Sequence, residues 1–157
     1  YNMEKLVSYL IENKLKIATA ESCTGGLLAS RLTDIPGVSE VFEMGIVSYS
    51  NRIKNEFLGV KSEDLEKYGA VSEAVAKEMS KGAAKKADAD IGVGITGIAG
   101  PGGGTIKKPV GTVWLSFYFA KTDENPAYLL SLSGSRAEIR NKTCDEAVKR
   151  LKNHFNI

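Results

Sequence analysis

The sequence predicts an α/β domain in which helices cover both faces of a mixed, mostly parallel sheet of about five strands. Three observations carry this expectation. Segments with a helical apolar period alternate with short apolar runs. Two of the later runs are joined by a short polar connection, which reads as a hairpin and makes the sheet mixed. The 157 residues fall in the size range of one domain with a real core, and no repeat or linker divides residues 1–157.

Taken in order, residues 3–12 place Met3, Leu6, Val7, Leu10 and Ile11 at helical spacing. Residues 15–20 form a short apolar strand, and residues 24–34 return to a helical pattern with Leu27, Leu28 and Leu32 on one side. Pro36-Gly37 turns the chain into a strand over 41–49. Residues 51–57 read as a short helix stopped by Gly59. Ser72 then caps an Ala- and Lys-rich helix over 74–87. Residues 91–95 are a compact buried strand. Strands over 110–119 and 127–133 make the hairpin, and residues 136–155 form a closing helix with Ile139, Val148 and Leu151 among its apolar positions.

Composition narrows the function classes. A formal charge of +2 argues against nucleic acid as the main partner, since that task needs a strongly basic face. No apolar run is long enough to span a bilayer and no signal-peptide pattern is present, so the cytoplasm is the expected location, with no membrane partner. Tyr1 stands where an initiator methionine would, which suits a processed or excised piece. Cys23 and Cys144 lie far apart without disulfide or metal spacing, as suits a reducing compartment. With His154 as the one histidine, a Ser-His-Asp triad or a zinc centre would rest on that residue alone, so no metal or cofactor is expected.

Three segments carry chemistry. Thr19-Ala20-Glu21-Ser22-Cys23-Thr24-Gly25-Gly26 places two hydroxyls, a thiol and a carboxylate between a strand and a helix, where free backbone N–H groups face outward. A nucleophile, an anion site and an ordinary capped helix start all fit this composition. Gly94-Ile95-Thr96-Gly97-Ile98-Ala99-Gly100-Pro101-Gly102-Gly103-Gly104-Thr105 lets backbone approach a ligand closely, or is a flexible surface loop. It lacks the Lys-Ser/Thr ending of a P-loop and the following helix of a dinucleotide fingerprint. In Ser48-Tyr49-Ser50-Asn51-Arg52-Ile53-Lys54, Ser50 or Asn51 caps the helix and Lys54 falls in its first turns. A lysine there is a solvated surface charge, or, desolvated opposite Ser22, a serine's general base.

These segments, together with Leu58-Gly59-Val60, Gly69-Ala70-Val71-Ser72 and Lys108-Pro109-Val110-Gly111-Thr112-Val113, occur in an order that resembles the C-terminal domain of the competence-damage-inducible protein CinA. That domain also occurs alone as nicotinamide mononucleotide deamidase. The resemblance covers essentially the whole chain. It implies a three-layer α/β/α sandwich and hydrolysis of nicotinamide mononucleotide to nicotinate mononucleotide and ammonia. Larger members carry a separate N-terminal domain associated with nucleotide pyrophosphatase activity, to which the resemblance does not extend.

Carried over by position, the resemblance implies Ser22 as nucleophile, Lys54 as its base and Tyr49 as a residue that orients Lys54 or relays a proton. Backbone N–H groups of Cys23 and Thr24, at the helix N-terminus, are expected to hold the oxyanion. Thr96 and Arg136 are expected on the substrate, with Arg140 one turn beyond; where the family often has Asp before that arginine, this chain has Ser135. Glu21, Gly25, Asn51, Gly97 and Gly100 complete the expected substrate-binding set, Glu21 either orienting the turn or holding a ribose hydroxyl. The partner is thus a small nucleotide. Symmetric homo-oligomers are common for such domains, so a homo-oligomer is expected. A non-catalytic nucleotide-binding module would keep the glycine loop and arginines but need no basic lysine. A thiol amidase using Cys23 would lack a nearby histidine.

Overall fold

The computed structural model describes residues 2–157; Tyr1 lies outside the described residues. Helix α1 (Met3–Glu12) has the ends its apolar spacing predicts, with Asn2 accepting from Lys5 N–H as its cap. Strand β1 (Ile17–Glu21) starts two residues later than expected and reaches one further. Leu15 N–H is spent on Leu10 O and Lys16 N–H on the Asp90 carboxylate, so neither joins the ladder. Helix α2 (Leu27–Thr33) starts later than the expected residue 24, because Gly25 and Gly26 have φ of +58° and +95° and hold the chain in a turn. Strand β2 (Phe42–Val47) and helix α3 (Asn51–Leu58) follow.

Helix α4 (Ser62–Tyr68) was not predicted: it buries no residue, so it carries no apolar period to read. Helix α5 (Glu73–Ala87) is capped by Ser72, which accepts from Val75 N–H. Strands β3 (Ile91–Gly97), β4 (Thr112–Phe119) and β5 (Ala127–Ser131) lead to helix α6 (Arg136–His154). A capping box between Ser135 and Glu138 opens α6.

The strand order is β2-β1-β3-β4-β5. β1 is parallel to β2 and β3, while β4 is antiparallel to both β3 and β5. Four strands therefore run one way and β4 alone runs against them. Helices α1, α2 and α6 cover one face with β1, β2 and β4, and α3, α4 and α5 cover the other, giving the three layers. No helix among the described residues is long and apolar enough to cross a membrane.

The α5 face has an unusual floor. Ala18 pairs with Gly92 and Ala20 with Gly94, so two adjacent strands present only small side chains there. Helix α5 settles onto that floor so closely that a Cβ on Gly92 would lie 1.9 Å from Ser80 O. A backbone carbonyl cannot yield as a side chain end can. Ser80 and Ser116 Oγ, 2.9 Å apart, extend the contact to β4. Gly92→Ala is therefore expected to destabilise the domain by about 3 kcal/mol, the upper end for overpacking. Gly102→Ala, with nothing within 4 Å of its Cβ, should change stability by less than about 0.5 kcal/mol. Urea denaturation of both variants measures the contrast.

Candidate active site

The chain leaves β1 toward β2 on one side and reaches β3 on the other, so strand order reverses at β1. Such a switch point opens a crevice beyond the carboxyl ends of the strands. Ser22 and Thr96 both lie there, each one residue past the paired Glu21 and Ile95. Ser22 N–H donates to Ile95 O at 3.0 Å, which ties the first residue after β1 to the end of β3.

Lys54 comes from the opposite wall. Helix α3 buries two side chains, Lys54 and Leu58, one turn apart on the face turned to α5. A lysine thus occupies a position that helical geometry reserves for an apolar residue, and it is 1% exposed. Its Nζ lies 3.2 Å from Ser22 Oγ and 3.1 Å from Tyr49 O. No carboxylate pairs with it among the described residues. Burial therefore lowers its pKa from the ordinary lysine value. Nζ donates to the Tyr49 carbonyl and to Ser22 Oγ, so the amine and the serine hydroxyl are held within proton-transfer distance.

A cleft of about 280 Å³ opens over this pair. Ser22, Cys23, Tyr49, Asn51, Lys54, Thr96, Gly97, Gly100 and Arg136 all line it, so nine of the residues picked from sequence converge. Thr96 Oγ1 donates to Ala70 O at 2.9 Å, leaving its lone pairs as acceptors. Arg136, at the mouth, donates to Gly100 O at 2.8 Å and to the Tyr49 hydroxyl at 3.1 Å. Both partners are neutral, and Arg136 joins no ion pair among the described residues. Its charge is available to an anion.

Four expectations are corrected in detail. Tyr49 touches Lys54 through its main-chain carbonyl; the residue is 60% exposed and its hydroxyl meets Arg136 instead. Glu21 is 1% exposed and accepts from Leu28 and Ala29 N–H at 2.9 and 3.0 Å, so it orients the start of α2 and does not reach the cleft. Arg140 donates to Cys23 O and Thr24 O, and neither it nor Gly25 lines the cleft. Thr24 is fully buried beside them, and the Cys23 and Thr24 amides belong to the turn before α2 rather than to the helix itself. Those two N–H groups donate to no partner among the described residues.

Sequence reasoning passed over Ala70 and Val71 as site residues, although they line the cleft and Gly69-Ala70-Val71-Ser72 stood among the recognisable segments. They are apolar residues in a loop, and only the fold brings that loop against β3. Cys23 is 6% exposed and burial pushes its thiol up to about 11, which leaves it a poor nucleophile beside Ser22. His154 stacks on Phe119, with ring centroids 3.8 Å apart, in a separate groove. No group of His, Cys, Asp and Glu among the described residues could hold a metal.

Comparison with known proteins places the chain in a family and matches its fold. The family model for the CinA C-terminal domain matches residues 2–155. A CinA-like protein of Akkermansia muciniphila is 57% identical over 119 residues, which are 75% of this chain and 29% of that protein. The chain spans about a third of the length of the curated relatives it matches. The crystal structure of competence damage-inducible protein A from Klebsiella pneumoniae superposes with a TM-score of 0.92 at 32% identity, covering 99% of this chain and 98% of that one. Competence/damage inducible protein CihA from Agrobacterium tumefaciens superposes with a TM-score of 0.88 at 40% identity, covering 95% and 93%.

A buried amine without an acid partner has a stability signature. The unfolded chain binds a proton at Lys54 up to its ordinary value of 10.5, whereas the folded chain releases it lower. Folding is therefore penalised in full below the folded pKa, and the penalty fades as pH rises toward 10.5. Lys54→Met should be more stable than the parent by about 1 kcal/mol near neutral pH, with the gap narrowing in alkaline buffer. Urea melts across that range read it directly.

Proposed function

The chain belongs to the CinA C-terminal domain family, and from that premise we propose that it is a nicotinamide-nucleotide amidase. In this reading it hydrolyses nicotinamide mononucleotide to nicotinate mononucleotide and ammonia. The observation that carries the proposal is the contact of a buried, unpaired lysine amine with Ser22 Oγ at 3.2 Å. A non-catalytic nucleotide module has no use for that contact. An amine kept neutral by burial is a base suited to activating a hydroxyl near neutral pH.

The chemistry then runs in two halves. Lys54 takes the hydroxyl proton as Ser22 Oγ bonds to the carboxamide carbon, and the former carbonyl oxygen becomes an oxyanion. The N–H groups of Cys23 and Thr24, which follow the serine in the chain and donate to no other residue among the described residues, are the donors assigned to that charge. The intermediate collapses with cleavage of the C–N bond, and the Lys54 ammonium returns its proton to the departing ammonia. Water then attacks the acyl-serine ester, again giving a proton to Lys54, which passes it back to Ser22 Oγ as nicotinate mononucleotide leaves. Tyr49 O holds the amine in line throughout. Arg136 and the glycine loop from Gly97 to Gly103 suit the ribose phosphate, and binding that remote group positions the amide.

Ammonia release from nicotinamide mononucleotide tests the reading. Ser22→Ala and Lys54→Ala are each expected to lower kcat by about 1,000-fold or more, and mass spectrometry should trap an acyl group on Ser22. A fully active Ser22→Ala variant would overturn the nucleophile, and nucleotide binding without any ammonia release would favour a non-catalytic module. In the parent, kcat/KM should rise with pH through an inflection below 10.5, as Lys54 loses its proton.

A further inference from the structure

The turn from Ser22 to Gly26 is short of its own hydrogen bonds. Gly25 N–H donates to Ser22 O and Leu27 N–H to Thr24 O, both at 3.0 Å. One side chain from the last helix reaches the carbonyls of Cys23 and Thr24, the latter shared with Leu27 N–H: Arg140 Nε donates to Cys23 O at 3.1 Å and Nη2 to Thr24 O at 2.9 Å. This guanidinium forms no ion pair among the described residues. It lies against the turn closely enough that a Cβ on Gly25 would sit 3.4 Å from Nη2.

We infer that Arg140 is a positioning residue for catalysis at Ser22: by gripping the Cys23 carbonyl it aims and polarises the Thr24 N–H of the same peptide, one of the two proposed oxyanion donors, while its bond to Thr24 O anchors the turn. The inference rests on the proposed serine chemistry but not on which amide is the substrate. In a trans peptide the C=O and N–H point in opposite directions. Holding Cys23 O against Arg140 therefore turns the Thr24 N–H away from α6. A charged donor on the carbonyl also draws electron density along the peptide and strengthens its N–H as a donor. Glu21 completes the grip from the other end, through Leu28 and Ala29 N–H. Between them, a strand residue and a helix residue fix a glycine turn that would otherwise sample several conformations. Arg136, one turn earlier on α6, reaches the cleft, so the same helix serves ligand and turn by separate arginines.

The test reads serine reactivity apart from substrate. A fluorophosphonate bonds to Ser22 Oγ with loss of fluoride and needs the same oxyanion donors, so its labelling rate reports the turn even if nicotinamide mononucleotide proves to be the wrong substrate. Arg140→Met should label about 100-fold more slowly, the scale of losing one oxyanion donor, and lower kcat alike with KM within about two-fold. Arg140→Lys keeps the charge and one donor and should recover about ten-fold of that loss, which also covers the case in which the Met variant folds poorly. The pH inflection assigned to Lys54 should stay in place in the folded variants. Three results would overturn the inference: labelling by Arg140→Met within about two-fold of the parent, a loss confined to KM, or an inflection that moves with the rate. Labelling of the parent without ammonia release would instead count against the substrate, and leave the role of Arg140 standing.

Discussion

Desolvation of a single amine sets the terms for the site. Lys54 sits on the inner face of α3, 1% exposed, with a serine hydroxyl and a carbonyl as its only polar partners among the described residues. An ammonium in that place lacks the acid that normally compensates a buried charge. The same desolvation lowers its pKa and so favours the neutral amine. A carboxylate nearby would make the helix more stable and the lysine useless as a base. The rest of the α5-side layer must therefore hold α3 in place against the preference of its own side chain for water.

It does so through close backbone packing. Ala18 and Ala20 beside Gly92 and Gly94 leave a flat floor, and α5 rests on it near carbonyl contact. Helix α3 in turn packs on α5, where a Cβ on Gly82 would fall 2.1 Å from Leu58 O. Leu58 is one turn from Lys54, so the depth of the amine is fixed by a chain of contacts from sheet to α5 to α3. The serine is fixed separately, by the ladder that carries Ser22 N–H to Ile95 O. Two rigid elements thus meet at a 3.2 Å contact, so the geometry of the pair is set by backbone packing.

Helix α6 shows how like residues divide their roles by partner. Arg136 meets a phenol and a carbonyl at the cleft mouth and keeps its charge for a ligand. Arg140 meets two carbonyls of the turn and spends its donors on the protein. Their spacing of one turn puts both on one side of the helix, and nothing in either residue alone separates a ligand contact from a structural one.

Much of this was legible from residue order. The apolar period gave α1 its ends, the turn residues narrowed the α3 cap to Ser50 or Asn51, of which the fold uses Ser50, and gave its stop at Gly59, and strand–helix alternation gave the layers. Local pattern failed where stability came from afar. Helix α4 has no buried face to betray it, and β1 extends through Glu21 because that acid is neutralised by amides of α2, seven and eight residues on. Residue types set the chemistry available: a serine, a lysine, arginines and close-approach glycines, with a histidine too solitary to serve a triad. Which of them line the cleft follows from long-range packing. Lys54 became a buried amine against a serine, Glu21 a helix clamp and Arg140 a backbone clamp because burial and hydrogen-bond partners are set by the fold, and side-chain chemistry takes its meaning from those surroundings.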